Sequence, residues 1–596
     1  MTERIKSATF SRQPIGTGRM LVTLDDAARG LVVPADVGAA LETLRAFATV
    51  DEHERELRRR IKDGTRAEHA CRLLRDLAAS GALLRESVLV AQIRGVAAPR
   101  DDARTTIRTL AVVTCDRPAA LRTALTGWLA NATRGDRIMR VVVADDSRDA
   151  AVGEANRALV ADVCAPHGAG ATYLDRVGKA ALAERLARAA HVPEDIVRFA
   201  LLGDDAVGPS IGANRNALLL ACGDAPFLSF DDDVQACAAM PPRVLEGSAI
   251  AEGDAAEWRF FRDRADALEG VTPVDVDLIA EHEALLGASP ATIVRRAPGS
   301  VGLGAGPRGL LRDLREGGGR IITTVTGVFG DSGMYSGAGL LFATSDAGRA
   351  QLTADAETFA RATRSREVLR AVPRVTIAPT APFMSPSFAL DPRAGIPPFL
   401  PVLRNEDGVF GATIARCHLD AYAAHLPLAL LHASEPGRAY VPDRIDAARV
   451  VRFSDVLLAF LSSHPFEEGA GTFAGRLRVI GAQLRMLGDA PLRDHAAFLR
   501  ALLSKAASMR AQRIQLLLER HADGPEYWLR DLRAHLRALQ ESVVDPGHAI
   551  PFDLRTGRDA AQALEVSRSL CARFGRLCEA WPDLMEAALS FRASER

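Results

Sequence analysis

Gly208 to Gln235 reads GPSIGANRNALLLACGDAPFLSFDDDVQ, and its three parts decide the fold. Asn214, Arg215 and Asn216 open a helix, the apolar run Ala217 to Cys222 continues it, and Gly223 closes it. Phe227 to Phe230 then reads as a buried strand that ends abruptly in Asp231, Asp232 and Asp233. Adjacent carboxylates raise one another's pKa, so a positive partner is expected among them, and a divalent cation is the obvious one. On an extended segment residues two apart point the same way, which would bring Asp231 and Asp233 to one ligand and turn Asp232 elsewhere. Hard carboxylate oxygens favour Mg2+ or Mn2+, and Mg2+ is commonly shared with substrate phosphates. The alternative is a solvated strand-to-loop turn.

Upstream, Ile107 to Thr114 is an apolar, β-branched strand followed by Cys115, Asp116, Arg117 and Pro118. Pro118 suits a first helical turn, and Leu121, Leu125 and Trp128 continue at helical spacing. A second strand, Ile138 to Ala144, ends in Asp145, Asp146 and Ser147. Strand, helix, strand with acids at the carboxyl edge begins a parallel α/β sheet, and ligands bind at that edge. Residues 154 to 200 read as helical, with Leu182, Leu186 and Ala190 on one stripe.

Downstream, Gly317 to Gly339 is Gly-rich and includes TGVFGDSGMYSG, which reads as a flexible loop or a plain connection. Pro397 to Gly411, PPFLPVLRNEDGVFG, approaches a helix opened by Glu406 and Asp407. Leu426 to His432, LPLALLH, reads as a buried strand ending in His. From about Ser454 the pattern is helical to the end, with stripes such as Leu477, Ile480, Leu484 and Leu487, then Leu532, Leu536 and Leu539.

In the first hundred residues, Met20 to Leu24 and Leu31 to Val33 read as strands around a turn at Asp25 to Gly30. Asp36 is expected to cap a helix with Val37, Ala40, Leu41 and Leu44 on one face. Thr65 and Glu68 fit a capping box, with Leu73, Leu74 and Leu77 behind it and a stop at Gly81. A last strand is expected from Leu83 to Ile93.

At 596 residues the chain needs two to four domains. Its 48% hydrophobic and 25% charged composition is that of a soluble globular protein. A formal charge of -1 gives no electrostatic case for nucleic acid. The only lysines are Lys6, Lys62, Lys179 and Lys505; this and the abundant Ala suggest a GC-rich bacterial coding sequence. The eight cysteines form no CxxC pair or metal spacing, which fits a reducing cytoplasm. No apolar run reaches the length of a membrane span.

Strand, Asp-x-Asp and a preceding RN helix, with TCDRP, VADDS and the later ED pair, resemble GT-A nucleotide-sugar glycosyltransferases, especially family 2. The likeness runs from about Ala103 to Ala447. It implies a Rossmann-like, mostly parallel catalytic domain over 103–447, between an N-terminal accessory domain (1–102) and an all-α C-terminal domain (448–596). In such an enzyme Thr114, Asp116, Arg117, Asp145 and Asp146 would hold base and ribose, and Arg215, Asp231 and Asp232 the diphosphate sugar. Asp231, Asp233 and His432 would bind Mn2+ or Mg2+. Asp407, or alternatively Glu406, would take the acceptor's proton during inverting transfer from a UDP-, GDP- or TDP-sugar. Arg215 could instead simply pair with Asp224 or Asp231. The N-terminal element order resembles winged-helix leader-peptide recognition modules, which implies a peptide acceptor; a polysaccharide precursor is the other candidate, and the C-terminal helices could mediate assembly. Two other readings are a nucleotidyltransferase on a related fold and a non-catalytic peptide-binding protein. Dehalogenase-type phosphatases also place DxD after a strand, but Gln235 stands where they need Thr or Val.

Overall fold

Two apolar runs, Thr109–Thr114 and Arg140–Asp145, are buried on both faces, so they read as continuous rather than alternating strands. They pair in parallel, Gly170–Leu174 extends the ladder beyond Arg140–Asp145, and Phe227–Asp231 flanks Thr109–Thr114 on its other side, also parallel. The computed structural model describes the chain apart from residues 1–2, 7–9, 17, 25–28, 42–43, 45, 81–82, 97–104, 254, 305–307, 335, 382, 385, 436, 441–450, 464–470, 545–549 and 595–596. The fold is mixed α/β, with one large sheet in which parallel pairing has the larger share and a helical C-terminal region.

From Phe227–Asp231 the sheet continues antiparallel through Ser387–Leu390 to Arg320–Asp331, which runs parallel to Ala421–His432. Val375–Pro379, Ser248–Ile250 and Val301–Leu303 complete that side. Val234–Ala239 lies antiparallel to the last residues of Ala421–His432, with Val234 opposite His432. This register, set far apart in sequence, carries the acidic turn to the histidine.

The Ile211–Cys222 helix ends at Gly223 and the Pro118–Thr133 helix starts at Pro118, both as expected. Asn214, Arg215 and Asn216 are successive residues about 100° apart around the helix, so they reach in three directions. Gly212 lets this helix lie flush on the segment before the ED pair. A Cβ there would fall 1.8 Å from the Leu400 carbonyl oxygen. Gly212→Ala should therefore cost about 3 kcal/mol through forced backbone displacement, read as a lowered urea midpoint.

The C-terminal helices share the sheet's core. Phe473–Asp489 and Ala560–Ser594 meet backbone to backbone at Gly481, Gly488 and Gly575, where added Cβ atoms would lie 2.2–2.6 Å from facing backbone. Trp581 of the last helix is buried and donates from Nε1 to the Ile396 carbonyl at 2.8 Å. Leu477, Ile480, Leu484, Leu532 and Leu539 are buried and Leu487 and Leu536 partly so. Cys571 and Cys578 are buried free thiols. No helix among the described residues is long and apolar enough to cross a membrane.

Several expected elements differ. Leu83 to Ile93 is a two-residue strand, Leu84–Arg85, and then the helix Glu86–Gly95, because Leu89 and Ile93 bury one helical face while Val88 is exposed. Asp63, not Thr65, caps Gly64–Ala79, accepting from the Arg66 N–H, and Glu68 instead pairs with Arg58 and Arg75. The capping box belongs to Thr49 and Glu52, ahead of Val50–Arg60. Asp36 lies inside Ala35–Leu41 rather than capping it. Residues 154 to 200 include the strand Gly170–Leu174 between helices Ala150–Cys164 and Arg176–Ala190. The Gly-rich stretch is no loop at its centre: Arg320–Asp331 is a twelve-residue strand, buried nearly throughout because its β-branched residues outweigh its glycines. Arg19–Leu24 and Arg29–Pro34 form the expected hairpin with Phe10–Pro14 as a third strand. Most of the turn between them, and the stop at Gly81, lie outside the described residues.

Candidate active site

The carboxyl ends of the parallel strands converge on Thr114, Asp145 and Asp231, which is the edge where a ligand binds in such a sheet. The acids there divide into a set hydrogen-bonded into the fold and a set gathered at the acidic turn.

Asp145 and Asp146 belong largely to the fold. Asp145 is fully buried and accepts from the Ser147 N–H (2.7 Å), Asn156 Nδ2 (2.9 Å) and the Tyr173 hydroxyl. Its carboxylate oxygens are thus engaged within the fold, behind the strand end where a nucleotide is expected. Asp146 accepts from Arg176 Nη1 (3.0 Å), Lys179 Nζ (2.9 Å) and the Ser210 hydroxyl. Lys179 is completely buried; burial lowers its pKa, and Asp146 opposes that shift. It also donates to Asn214 Oδ1 (3.0 Å), whose amide donates in turn to the Thr114 and Ala144 carbonyls. This chain welds the RN helix to the strand ends, and neither Lys179 nor Asn214 carried a role on sequence grounds. Asn216 does the same on the other side, exchanging hydrogen bonds with the Phe399 backbone at 2.8 and 3.0 Å.

The second set surrounds the acidic turn. Asp232 and Asp233 form a turn and not an extended continuation, so strand alternation stops at Asp231, and Asp231 and Asp233 accept from different arginines. Asp231 Oδ1 accepts from Arg215 Nη2 at 2.7 Å, the pairing weighed as an alternative. Asp232 accepts from the Thr114 hydroxyl (2.7 Å) and Arg117 Nη1 (3.3 Å), so Thr114 positions an acid here. Asp233 accepts from Arg117 Nη1 at 2.9 Å and faces His432 Nε2 at 3.3 Å. Trp128 supports the turn from below, stacking on Phe230 (4.9 Å between centroids) and donating to the Val234 carbonyl at 3.1 Å.

His432 Nδ1 lies 2.7 Å from the Asp331 carbonyl oxygen, which can only accept, so Nδ1 carries hydrogen and Nε2 is the nitrogen turned to Asp233. Burial pulls the His432 pKa down, but Asp233 more than reverses this and lifts it to about 9. Burial likewise pushes Asp233 up, yet His432 and then Arg117 hold it at about 2. Asp232 is pushed up to about 7 by burial and the Asp233 charge. Burial, reinforced by Asp233 and opposed by Arg215, also raises Asp231.

Across from the turn, Glu406 and Asp407 open the helix Glu406–Cys417 as expected. Glu406 is buried, with Oε1 3.6 Å from Arg215 Nε. Burial and the Asp407 charge push it up to about 7 against the pull of Arg215. Asp407 is only partly buried, its Oδ1 accepting from the Gly408 N–H at 2.8 Å. Asp116, with φ +57°, and Arg117 are exposed at the mouth.

These shifts carry a pH signature. Glu406 and Asp232 have raised pKa values, so the folded state holds protons that the unfolded chain releases above about pH 4, and stability falls as pH rises to about 7. His432 stabilises fully below its ordinary value of 6.5, and that contribution fades as pH passes 9. The urea midpoint should thus decline from pH 5 to pH 9, and an E406Q/D232N variant should flatten the part between 5 and 7. An unchanged slope in the variant would contradict these assignments.

Among the described residues no group of three or more His, Cys, Asp or Glu is arranged to hold a metal ion. A pair remains, Asp233 and His432. Mg2+-type sites use one or two carboxylates plus substrate phosphates, and ligand atoms at right angles on bonds of about 2.1 Å sit about 3 Å apart. The 3.3 Å between Asp233 Oδ1 and His432 Nε2, and the hydrogen on Nδ1, fit such a pair. Compared with protein-family models and with curated proteins, the chain matches none.

Proposed function

We propose that this protein is a cation-dependent glycosyltransferase of GT-A type, moving a sugar from a nucleoside diphosphate sugar to an acceptor hydroxyl. The observation that carries the reading is the Asp233–His432 pair at the carboxyl edge of the parallel strands, with Nε2 turned to the carboxylate. Asp233 and His432 would hold Mn2+ or Mg2+, with the imidazole favouring Mn2+. When bound, the cation supplies positive charge to the diphosphate leaving group.

The chain's own groups do the rest. Arg117, half-exposed beside the acidic turn and held by Nη1 to Asp232 and Asp233, would offer the rest of its guanidinium to a phosphate, and Asp116 offers a carboxylate to sugar or base hydroxyls at the mouth. Arg215 stays in the floor between Asp231 and Glu406. Asp407 takes the acceptor proton as the new glycosidic bond forms and the bond from sugar to diphosphate breaks; Glu406, closed in against Arg215, is the alternative. A peptide acceptor is supported by the strand Arg29–Pro34, which ends its three-stranded sheet and so offers an edge for strand addition.

The test is direct. Purified protein with Mn2+ should release diphosphate slowly from one of UDP-, GDP- or TDP-sugars, using water as a poor acceptor. Equal and negligible release from all three donors, alongside no nucleotide binding by calorimetry, would refute the reading.

A further inference from the structure

The GDSG stretch, Gly330 to Gly333, has no part in the chemistry above, yet it lies directly against His432. Gly330 pairs across the sheet with His432. Its φ is +92°, and a Cβ there would sit 2.6 Å from the His432 carbonyl oxygen, so only glycine brings these strand ends together. The next residue, Asp331, is 1% exposed and aims its carbonyl at His432 Nδ1.

The Asp331 carboxylate is locked. Arg366 reaches it from Nε at 3.0 and 3.2 Å and from Nη2 at 2.7 Å, and the Gly333 N–H adds a bond of 2.8 Å. Arg366 is itself buried, and its carbonyl accepts from the Ser332 N–H at 2.8 Å. The Ser332 hydroxyl meets the Tyr440 hydroxyl at 2.6 Å. A paired guanidinium fork fixes orientation as well as charge, so the plane of the Asp331 carbonyl is set by a rigid frame. That plane in turn sets the imidazole.

We propose that Asp331 and Arg366 are positioning residues that hold His432 with hydrogen on Nδ1 and Nε2 turned to the cation beside Asp233. The inference rests on the reading that His432 is a cation ligand. Partners of this kind change metal affinity by about 10- to 100-fold when altered, without touching the metal. A purely structural Asp331–Arg366 pair would lower the melting temperature and leave cation affinity alone.

The experiment is calorimetric titration of Mn2+ into full-length protein, with thermal melts of the same samples. The set is wild type, D331N, R366K, D233N and H432Q. Selective 15N-histidine labelling follows the Nδ1–H resonance of His432, assigned by its absence in H432Q. We expect D331N and R366K to weaken Mn2+ by about 10- to 100-fold and to shift or broaden that resonance, while D233N and H432Q lose binding. Affinities within twofold of wild type in both D331N and R366K, with D233N still losing binding, would overturn the inference and spare the cation site. Equal binding by wild type, D233N and H432Q would instead overturn the cation site, and the inference with it.

Discussion

Asp233→Asn is expected to abolish nucleotide-sugar turnover, by about a thousandfold or more, while the far-UV circular dichroism stays that of the wild type. Asp233 is the carboxylate on which Arg117 and His432 converge, at 2.9 and 3.3 Å. The amide keeps the size of the side chain and a carbonyl for Arg117. It loses the charge that a cation needs, and it turns an N–H toward either the metal or the imidazole. Asp224, exposed at the other end of the Phe227–Asp231 strand, provides the control: Asp224→Asn should retain full activity. Normal turnover in Asp233→Asn would remove the cation from the account.

Arg215→Met should be the most destabilising substitution at the site, at about 3–5 kcal/mol, because it leaves buried acids without their counter-charge. Arg215 is 3% exposed, donates to Asp231 at 2.7 Å, stands 3.6 Å from Glu406 and lies over the Phe399 ring at 5.8 Å. Methionine fills part of the volume but none of the charge. The loss should grow with pH, since Glu406, pushed up to about 7, is protonated at pH 5 and ionised at pH 8. Adding Glu406→Gln should recover part of the stability, most of all at pH 8, the non-additivity expected of groups in contact. Urea unfolding of the single and double variants at both pH values checks this. A double variant no more stable than Arg215→Met would show that the two side chains are not coupled.

Much of this site was legible because its parts are local patterns. The Phe227–Asp231 strand, the RN helix, the ED helix and the strand ending in His432 each announce themselves by periodicity, a cap or a charged terminus within a dozen residues. What brings them together is pairing across the sheet, above all Val234 opposite His432, and no short window of sequence contains that register. For the same reason the sequence assigns no role to Lys179, Asn214, Asp331 or Arg366: the distant partners that fix them lie 33 to 101 residues away. Leu83 to Ile93 mixes β-branched residues with a helical stripe, and burial of Leu89 and Ile93 decides for the helix. Glycine content makes Gly317 to Gly339 look like a loop, whereas the run from Ile321 to Phe329 has the β-branched composition of the strand it forms. Asp231 and Asp233 are expected to reach one ligand; Asp233 lies in the turn that follows the strand, and the two acids accept from different arginines.

The most direct measurement is the anomalous scattering of manganese in crystals grown with Mn2+ and a nucleoside diphosphate. The account predicts a peak within bonding distance of Asp233 Oδ1 and His432 Nε2, with the diphosphate against it. A peak elsewhere, or a diphosphate bound away from the acidic turn with no metal beside Asp233, would contradict it.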